Sequence, residues 1–214
     1  MSFYNKNGGI IVKSIINVIQ ENKQYLSDID ATIGDGDHGI NMSKGMSIAE
    51  EKLKGTNYSM TEGLKAIQNA LINNIGGSMG PLYGMLFGGF VEASEKEEII
   101  DGSVIERMLE KAYLNLKTIT DAKLGDKTII DVLYPSIISY KENFAKTNNI
   151  IDALNAMKNT ADESLNATKN MIAKIGRAAR LGEKSRGYLD AGCASCCLIL
   201  KAFADAVIKL ERND

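Results

Sequence analysis

The sequence has little with which to build several common kinds of site. Histidine occurs once, at His38, and cysteine three times, at Cys193, Cys196 and Cys197. Cysteines clustered this closely cannot frame a disulfide-stapled fold. Cys193-x-x-Cys196 has the spacing of a zinc or redox pair. With His38 alone elsewhere and no further cysteine pair, no four-ligand zinc site is expected within the chain. Small buried residues in a tightly packed helix are the favoured reading. Proline occurs twice and Asn-Gly once, at Asn7-Gly8, so the punctuation of β-strands is scarce. Basic charge is not in excess: the net charge of -2 argues against sequence-independent nucleic-acid binding. No uninterrupted apolar run is long enough to span a bilayer, and the N-terminal run Gly9–Val12 is broken by Lys13 without a signal-peptide pattern. These absences predict a cytoplasmic protein that contacts neither membrane nor nucleic acid. The 214 residues, 44% hydrophobic and 24% charged, suit a single soluble domain over 1–214.

What is present is helical periodicity. Residues 10–27 place Ile11, Ile15, Val18 and Ile19 on one face. Ser59-Met60-Thr61-Glu62 reads as a capping box ahead of Leu64, Ile67 and Leu71, with a stop at Gly76-Gly77. Ser103-Val104-Ile105-Glu106 reads as a second box ahead of Met108, Leu109, Ala112 and Leu116. Residues 128–145 read as helix with a kink or boundary near Pro135, residues 150–175 as a long amphipathic stretch, and residues 192–211 as a buried helix. The predicted fold is all-α, a single up-and-down bundle. Segments 30–41, 76–84 and 176–192 interrupt the pattern with Gly, Asp, Ser and Arg, and on a helical scaffold such loops are where a site is expected.

The first of them contains Thr32-Ile33-Gly34-Asp35-Gly36-Asp37-His38-Gly39. Its glycines fit the G-x-G-x-x-G spacing of dinucleotide-binding loops. That reading needs a preceding strand, and the acidic residues would oppose a pyrophosphate. An EF-hand register also fails, because no starting Asp places the glycine and the final glutamate correctly. A plain Asp/Gly turn is the bland alternative. A magnesium site resolves the conflict. Asp30, Asp35 and Asp37 can hold a hard cation, and the cation in turn holds phosphate oxygens. Gly34, Gly36 and Gly39 would supply the turn, and His38 and Asn41 would donate to phosphate.

Two further loops fit. Residues 76–84, Gly-Gly-Ser-Met-Gly-Pro-Leu-Tyr-Gly, offer backbone N–H groups at a helix start, although a helix–helix turn needs nothing more. Residues 173–192 carry Lys174, Arg177, Arg180, Lys184 and Arg186, either as a solvated basic loop or as a lid whose arginine reaches over a phosphate. Gly125-Asp126-Lys127-Thr128 lacks the Gly-Lys pair of a P-loop.

Together "LSDIDATIGDGDHGINM", "IGGSMGPLYG", "GDKTIIDVLYP" and "KIGRAARLGEKSRGYLDAG" resemble, in order and spacing, the nucleotide-binding L subunits of dihydroxyacetone kinase, the DhaL family. The resemblance implies a barrel-like bundle of about eight antiparallel helices with ADP or ATP at one end. It implies that Asp30, Asp35 and Asp37 hold two Mg²⁺ ions. It places His38, Gly39, Ile40 and Asn41 on the phosphate side, and Ser78 and Met79 at the helix start that meets the phosphates. It puts Thr128 and Ile129 near the nucleoside, makes Arg177 the lid arginine, and sets Asp190, Ala191 and Gly192 at the family's Asp-Pro-Gly position. Met79, Arg180, Ala191 and Cys193 depart from the family's usual residues, as in a divergent paralogue.

The same resemblance implies a phosphotransferase acting in glycerol metabolism. A separate K subunit would hold dihydroxyacetone, and a phosphohistidine M subunit of the phosphotransferase system would recharge stored ADP. A homodimer is compatible with this reading. Two other functions stay open. One is an ATP-dependent kinase module for another acceptor, such as a related sugar or a fatty acid held by a partner protein. The other is a non-catalytic nucleotide-binding regulatory subunit.

Overall fold

A computed structural model describes residues 2–213. Its helices are α1 (Gly9–Glu21), α2 (Lys23–Ile33), α3 (His38–Leu53), α4 (Met60–Asn74), α5 (Met79–Ser94), α6 (Gly102–Lys117), α7 (Ile130–Thr147), α8 (Ile150–Ala167) and α9 (Ala191–Asn213). Short strands β1 (Ser2–Tyr4) and β2 (Ile99–Asp101) pair antiparallel, with Phe3 opposite Ile100. Helices α3 to α9 each pack on the next, and α1 closes the ring by packing on both α9 and α3. Eight helices thus form the barrel-like bundle, and α2 lies against α3 and α9. The all-α expectation holds.

Each helix turns an apolar face inward. In α1 this face is Ile11, Val12, Ile15, Ile16 and Ile19, all buried. In α9 it is wide enough to bury Cys193, Cys196 and Cys197 together with Leu200, Phe203 and Val207. The three thiols are free and buried, and burial pushes their pKa values up, so they behave as small apolar residues. Residues Ala191–Glu211 have the length and mean hydropathy, 1.8, to cross a membrane, although Lys201 and Asp205 interrupt them. With 72% of that window buried in the fold, α9 reads as the core helix of the bundle.

Local boundaries differ from the sequence reading for identifiable reasons. The stretch 10–27 is two helices, because Asn22 turns its amide Nδ2 back to the Val18 carbonyl, 2.8 Å away, and ends α1. The box at Ser59 and Glu62 forms as expected. The box at Ser103 and Glu106 does not. Asp101 caps α6 instead, its carboxylate accepting from Val104 N at 2.9 Å, which leaves Ser103 inside the helix. Helix α7 runs uninterrupted through Pro135. Helix α8 stops at Ala167, short of 175, where a 3-10 turn over Thr168–Asn170 begins. The β1–β2 ribbon was not expected. Three residues per strand leave too short an alternation to read, and Asn5 anchors the ribbon through a buried network with Thr61, Ser94 and Glu97.

Candidate functional site

The alternating direction of the helices puts the starts of α3, α5, α7 and α9 at one end of the barrel. The connections before them line one cavity of about 530 Å³. Residues drawn from each of the segments 30–41, 76–83, 119–129, 175–178 and 190–192 line it. Four helix N-termini meeting here concentrate positive dipole ends, a setting that favours anions.

Into this setting the α2–α3 turn projects carboxylates. Asp30 stands in the last turn of α2, and Asp35 and Asp37 in the four-residue link to α3. Gly36 takes φ +77°, and a side chain at Gly34 would strike the Asp30 carboxylate. The fold of this link therefore depends on those two glycines. Oxygen atoms of Asp30, Asp35 and Asp37 lie within 4.8 Å of one another. Arg177, from the segment between α8 and α9, forms ion pairs with Asp35 and, at 3.8 Å, with Asp37. The cluster has the donor chemistry of a hard divalent cation: carboxylate oxygens only, partly open to solvent.

Of the other residues singled out from sequence, His38, Asn41, Ser78, Met79, Thr128, Ile129, Asp190, Ala191 and Gly192 line the cavity. Gly39 and Ile40 do not. Gly39 lies in the first turn of α3, pressed against α2, and so is not part of the turn it was expected to supply. Ile40 is half-exposed on the outer face of α3. Arg180 is exposed and also stands outside the cavity lining.

The imidazole of His38 is engaged at one nitrogen. Its Nε2 lies 2.8 Å from Ser195 Oγ, and the ring meets Tyr83 edge-on. Burial pushes its pKa down to about 4, so it is neutral at ordinary pH. Tyr83 in turn hydrogen bonds to Ser195 and donates to the Gly192 carbonyl at 2.9 Å. Asp190 caps α9, accepting from Cys193 N at 2.8 Å, and burial pushes its pKa up against that bond.

Sequence reasoning missed several of these groups. Tyr83 and Ser195 lie one helical turn beyond Met79 and Ala191, on the faces those residues begin, so helical spacing could have found them. Asp131 fixes the 125–128 turn by accepting from Gly125 N at 2.5 Å and Thr128 N at 2.8 Å. Its position three residues after Thr128 was the available clue. Ile119, Thr120, Ala122 and Ile175 add an apolar wall beside the polar end.

A family model described as the DAK2 domain matches residues 32–205. The chain is 34% identical over 185 residues to the PEP-dependent dihydroxyacetone kinase 1, ADP-binding subunit DhaL, of Listeria innocua, covering 86% of this chain and 87% of that one. It is 33% identical over 193 residues to the PTS-dependent dihydroxyacetone kinase, ADP-binding subunit DhaL, of Lactococcus lactis, covering 88% and 91%. Among solved structures it is similar to the dihydroxyacetone kinase from C. freundii in complex with AMP-PNP and Mg²⁺, with a TM-score of 0.65 and 21% identity. That likeness covers 92% of this chain and 33% of the other, and it bears on the fold.

Proposed function

The chain belongs to the DAK2-domain family, and from that premise we propose that it is the ADP-binding, phosphoryl-transferring subunit of a dihydroxyacetone kinase. One observation carries the reading. Three carboxylates gather within 4.8 Å at the barrel end where four helix N-termini meet. A site made only of helix starts would hold phosphate directly, and a site made only of carboxylates would repel it. Both together fit a nucleotide whose phosphates arrive with divalent cations.

In this reading Asp30, Asp35 and Asp37 hold one or two Mg²⁺ ions, and the metal, when bound, neutralises charge on the phosphoryl group being transferred. The N–H groups at the starts of α3 and α5 orient the phosphates. Thr128, Ile129 and the apolar wall hold the nucleoside end. Arg177 lies within reach of both the carboxylates and an incoming phosphate, and it stabilises charge from the lid side. Phosphoryl transfer asks for positioning and charge neutralisation more than for a protein nucleophile, and the cavity is furnished for both. The phosphoryl acceptor, dihydroxyacetone, belongs to a separate K subunit facing the cavity mouth, and a phosphohistidine protein recharges the bound ADP. The Listeria and Lactococcus relatives named above, of similar length and described as ADP-binding subunits, support this division of labour.

Calorimetry with ADP and Mg²⁺ tests the reading. Asp35→Ala should lose about 2–3 kcal/mol, roughly 30- to 150-fold in affinity, as expected for removing a charged contact. Equal affinity in the two proteins would refute it. Mixing the chain with a K subunit, dihydroxyacetone and a phosphohistidine donor then reads transfer itself.

A further inference from the structure

A buried lysine ties the lid that carries Arg177 to the barrel. Lys127 is 1% exposed, and its ammonium donates to three backbone carbonyls: Ser185 at 2.6 Å, Tyr188 at 2.8 Å and Met171 at 3.3 Å. An ammonium has three protons to give, and here each meets an acceptor, so the buried charge is fully solvated by the backbone. Those carbonyls lie at the two ends of the segment 171–188, with Arg177 between them. Lys127 itself comes from a different part of the chain, the turn before α7, and together with its neighbours Thr128 and Ile129 it lines the cavity.

Further contacts close the same junction. Lys174 N donates to the Asp126 carbonyl at 3.1 Å, and its ammonium pairs with the Asp126 carboxylate at 3.1 Å. Ala173 N donates to Ser185 Oγ at 2.9 Å, and Gly187 N to the Lys169 carbonyl at 2.7 Å. Lys127 also sits at φ +61°, a conformation side chains rarely adopt, held by its surroundings. A residue kept buried, charged and strained in a turn is poorly explained by local folding preference alone. Its three bonds join the nucleoside-side turn to the lid.

We propose that Lys127 is a positioning residue: it clamps both ends of the 171–188 lid to the turn at the nucleoside end of the cavity, so that Arg177 is presented over the Asp30–Asp35–Asp37 cluster. The clamp is independent of the nature of the ligand. Its consequence for nucleotide retention rests on the function proposed above. Methionine at 127 keeps the length of the stem and removes the donors. Arginine keeps charge and donors.

Hydrogen exchange read by mass spectrometry on the full chain, without ligand, is the first measurement. Lys127→Met should exchange about tenfold faster across 171–188 while the helices keep their protection, and Lys127→Arg should recover part of it. Wild-type exchange in that segment of Lys127→Met would overturn the clamp. Should Lys127→Met fail to fold, reductive methylation of the wild-type protein decides instead. Lys127 should stay unmodified while exposed lysines react, and modification at their rate would overturn the proposal. Binding of ADP with Mg²⁺ is the second measurement. Lys127→Met should release ADP about tenfold faster with little change in association, because a loosened lid acts on escape. Unchanged release would overturn the coupling of clamp to site. If the wild-type chain binds no ADP at all, the functional reading falls and the exchange result alone judges Lys127.

Discussion

The guanidinium of Arg177 rests on the carboxylate of Asp35, with Asp37 3.8 Å away. A divalent cation held by the proposed cluster would compete with Arg177 for the Asp35 and Asp37 oxygens. In the function proposed above a nucleotide would resolve the contest, its phosphates taking Arg177 while the carboxylates take the cation. Binding of metal and of nucleotide should therefore be positively coupled.

Arg177→Ala separates the two halves of this coupling. Both partners are half-exposed, so the lost pair is worth about 0.5–1 kcal/mol, and Mn²⁺ alone should bind roughly two- to fivefold more tightly to the variant. ADP in the presence of the metal should bind more weakly. Calorimetry with Mn²⁺, then with Mn²⁺ and ADP, reads both signs. A variant that gains nothing toward the metal alone would remove the idea of competition.

Three carboxylates within 4.8 Å repel one another whenever no cation joins them, and a single arginine offsets only part of that repulsion. The side chain of Asp37 makes no cap hydrogen bond to α3, and its charge meets only the half-exposed Arg177 at 3.8 Å, so little local structure depends on it. Asp37→Asn should leave metal-free stability unchanged or raise it by about 0.5–1 kcal/mol at low salt, the benefit fading as salt screens the cluster. Urea denaturation in chelator at two ionic strengths measures it. A clear loss of stability would show that Asp37 has a structural role instead.

Much of the architecture was readable because the helices are long and their apolar positions regular. Ile11, Ile15 and Ile19 announce α1, and the cysteines of α9 announce a core helix. The boundaries were less readable, because they turn on single side chains. Asn22 breaks one helix, and Asp101 outcompetes Ser103 for a cap. The carboxylate cluster was legible as acidic residues among glycines. The groups behind it were not. Lys127 stood in a motif that fails as a P-loop and was read, through the resemblance, for Thr128 and Ile129 alone, and its three carbonyl partners lie 44 to 61 residues away, beyond any local pattern. Likewise His38 and Ser195 are 157 residues apart, so nothing in the sequence foretold that the imidazole was already engaged.

Gly39, assigned to the turn from its spacing and to the phosphate side by the resemblance, has a packing reason to be glycine. A Cβ there would lie 2.0 Å from the Lys23 carbonyl and 2.7 Å from Ser27 Oγ. Backbone cannot yield as a flexible side chain does, so α3 would have to move off α2. Gly39→Ala should cost about 3 kcal/mol, the upper range for overpacking, and should shift the Asp30 and Asp37 carboxylates, which those two helices position. Thermal denaturation gives the first, and loss of ADP affinity in protein that still folds gives the second. A variant as stable as wild type would mean that the α2–α3 contact is looser than described.

His38 offers a pH test with a single reporter, since the chain has no other histidine. Its ordinary pKa is near 6.5, and burial lowers it to about 4 in the fold. Between those values the unfolded chain binds a proton that the folded chain refuses. The neutral ring therefore contributes stability that is complete above pH 6.5 and is lost as pH falls toward 4, by about 3 kcal/mol over the full interval. Nitrogen-15 spectra of the imidazole should show one neutral ring from pH 7 down to about pH 5. Denaturation midpoints should fall over the same range more steeply in wild type than in His38→Gln, whose side chain does not titrate. Both readings belong in chelator, where no metal can alter the neighbouring carboxylates. A ring that titrates near 6.5 in the folded protein would mean that Ser195 and Tyr83 do not enclose it, and the contacts at this end of α9 would have to be redrawn.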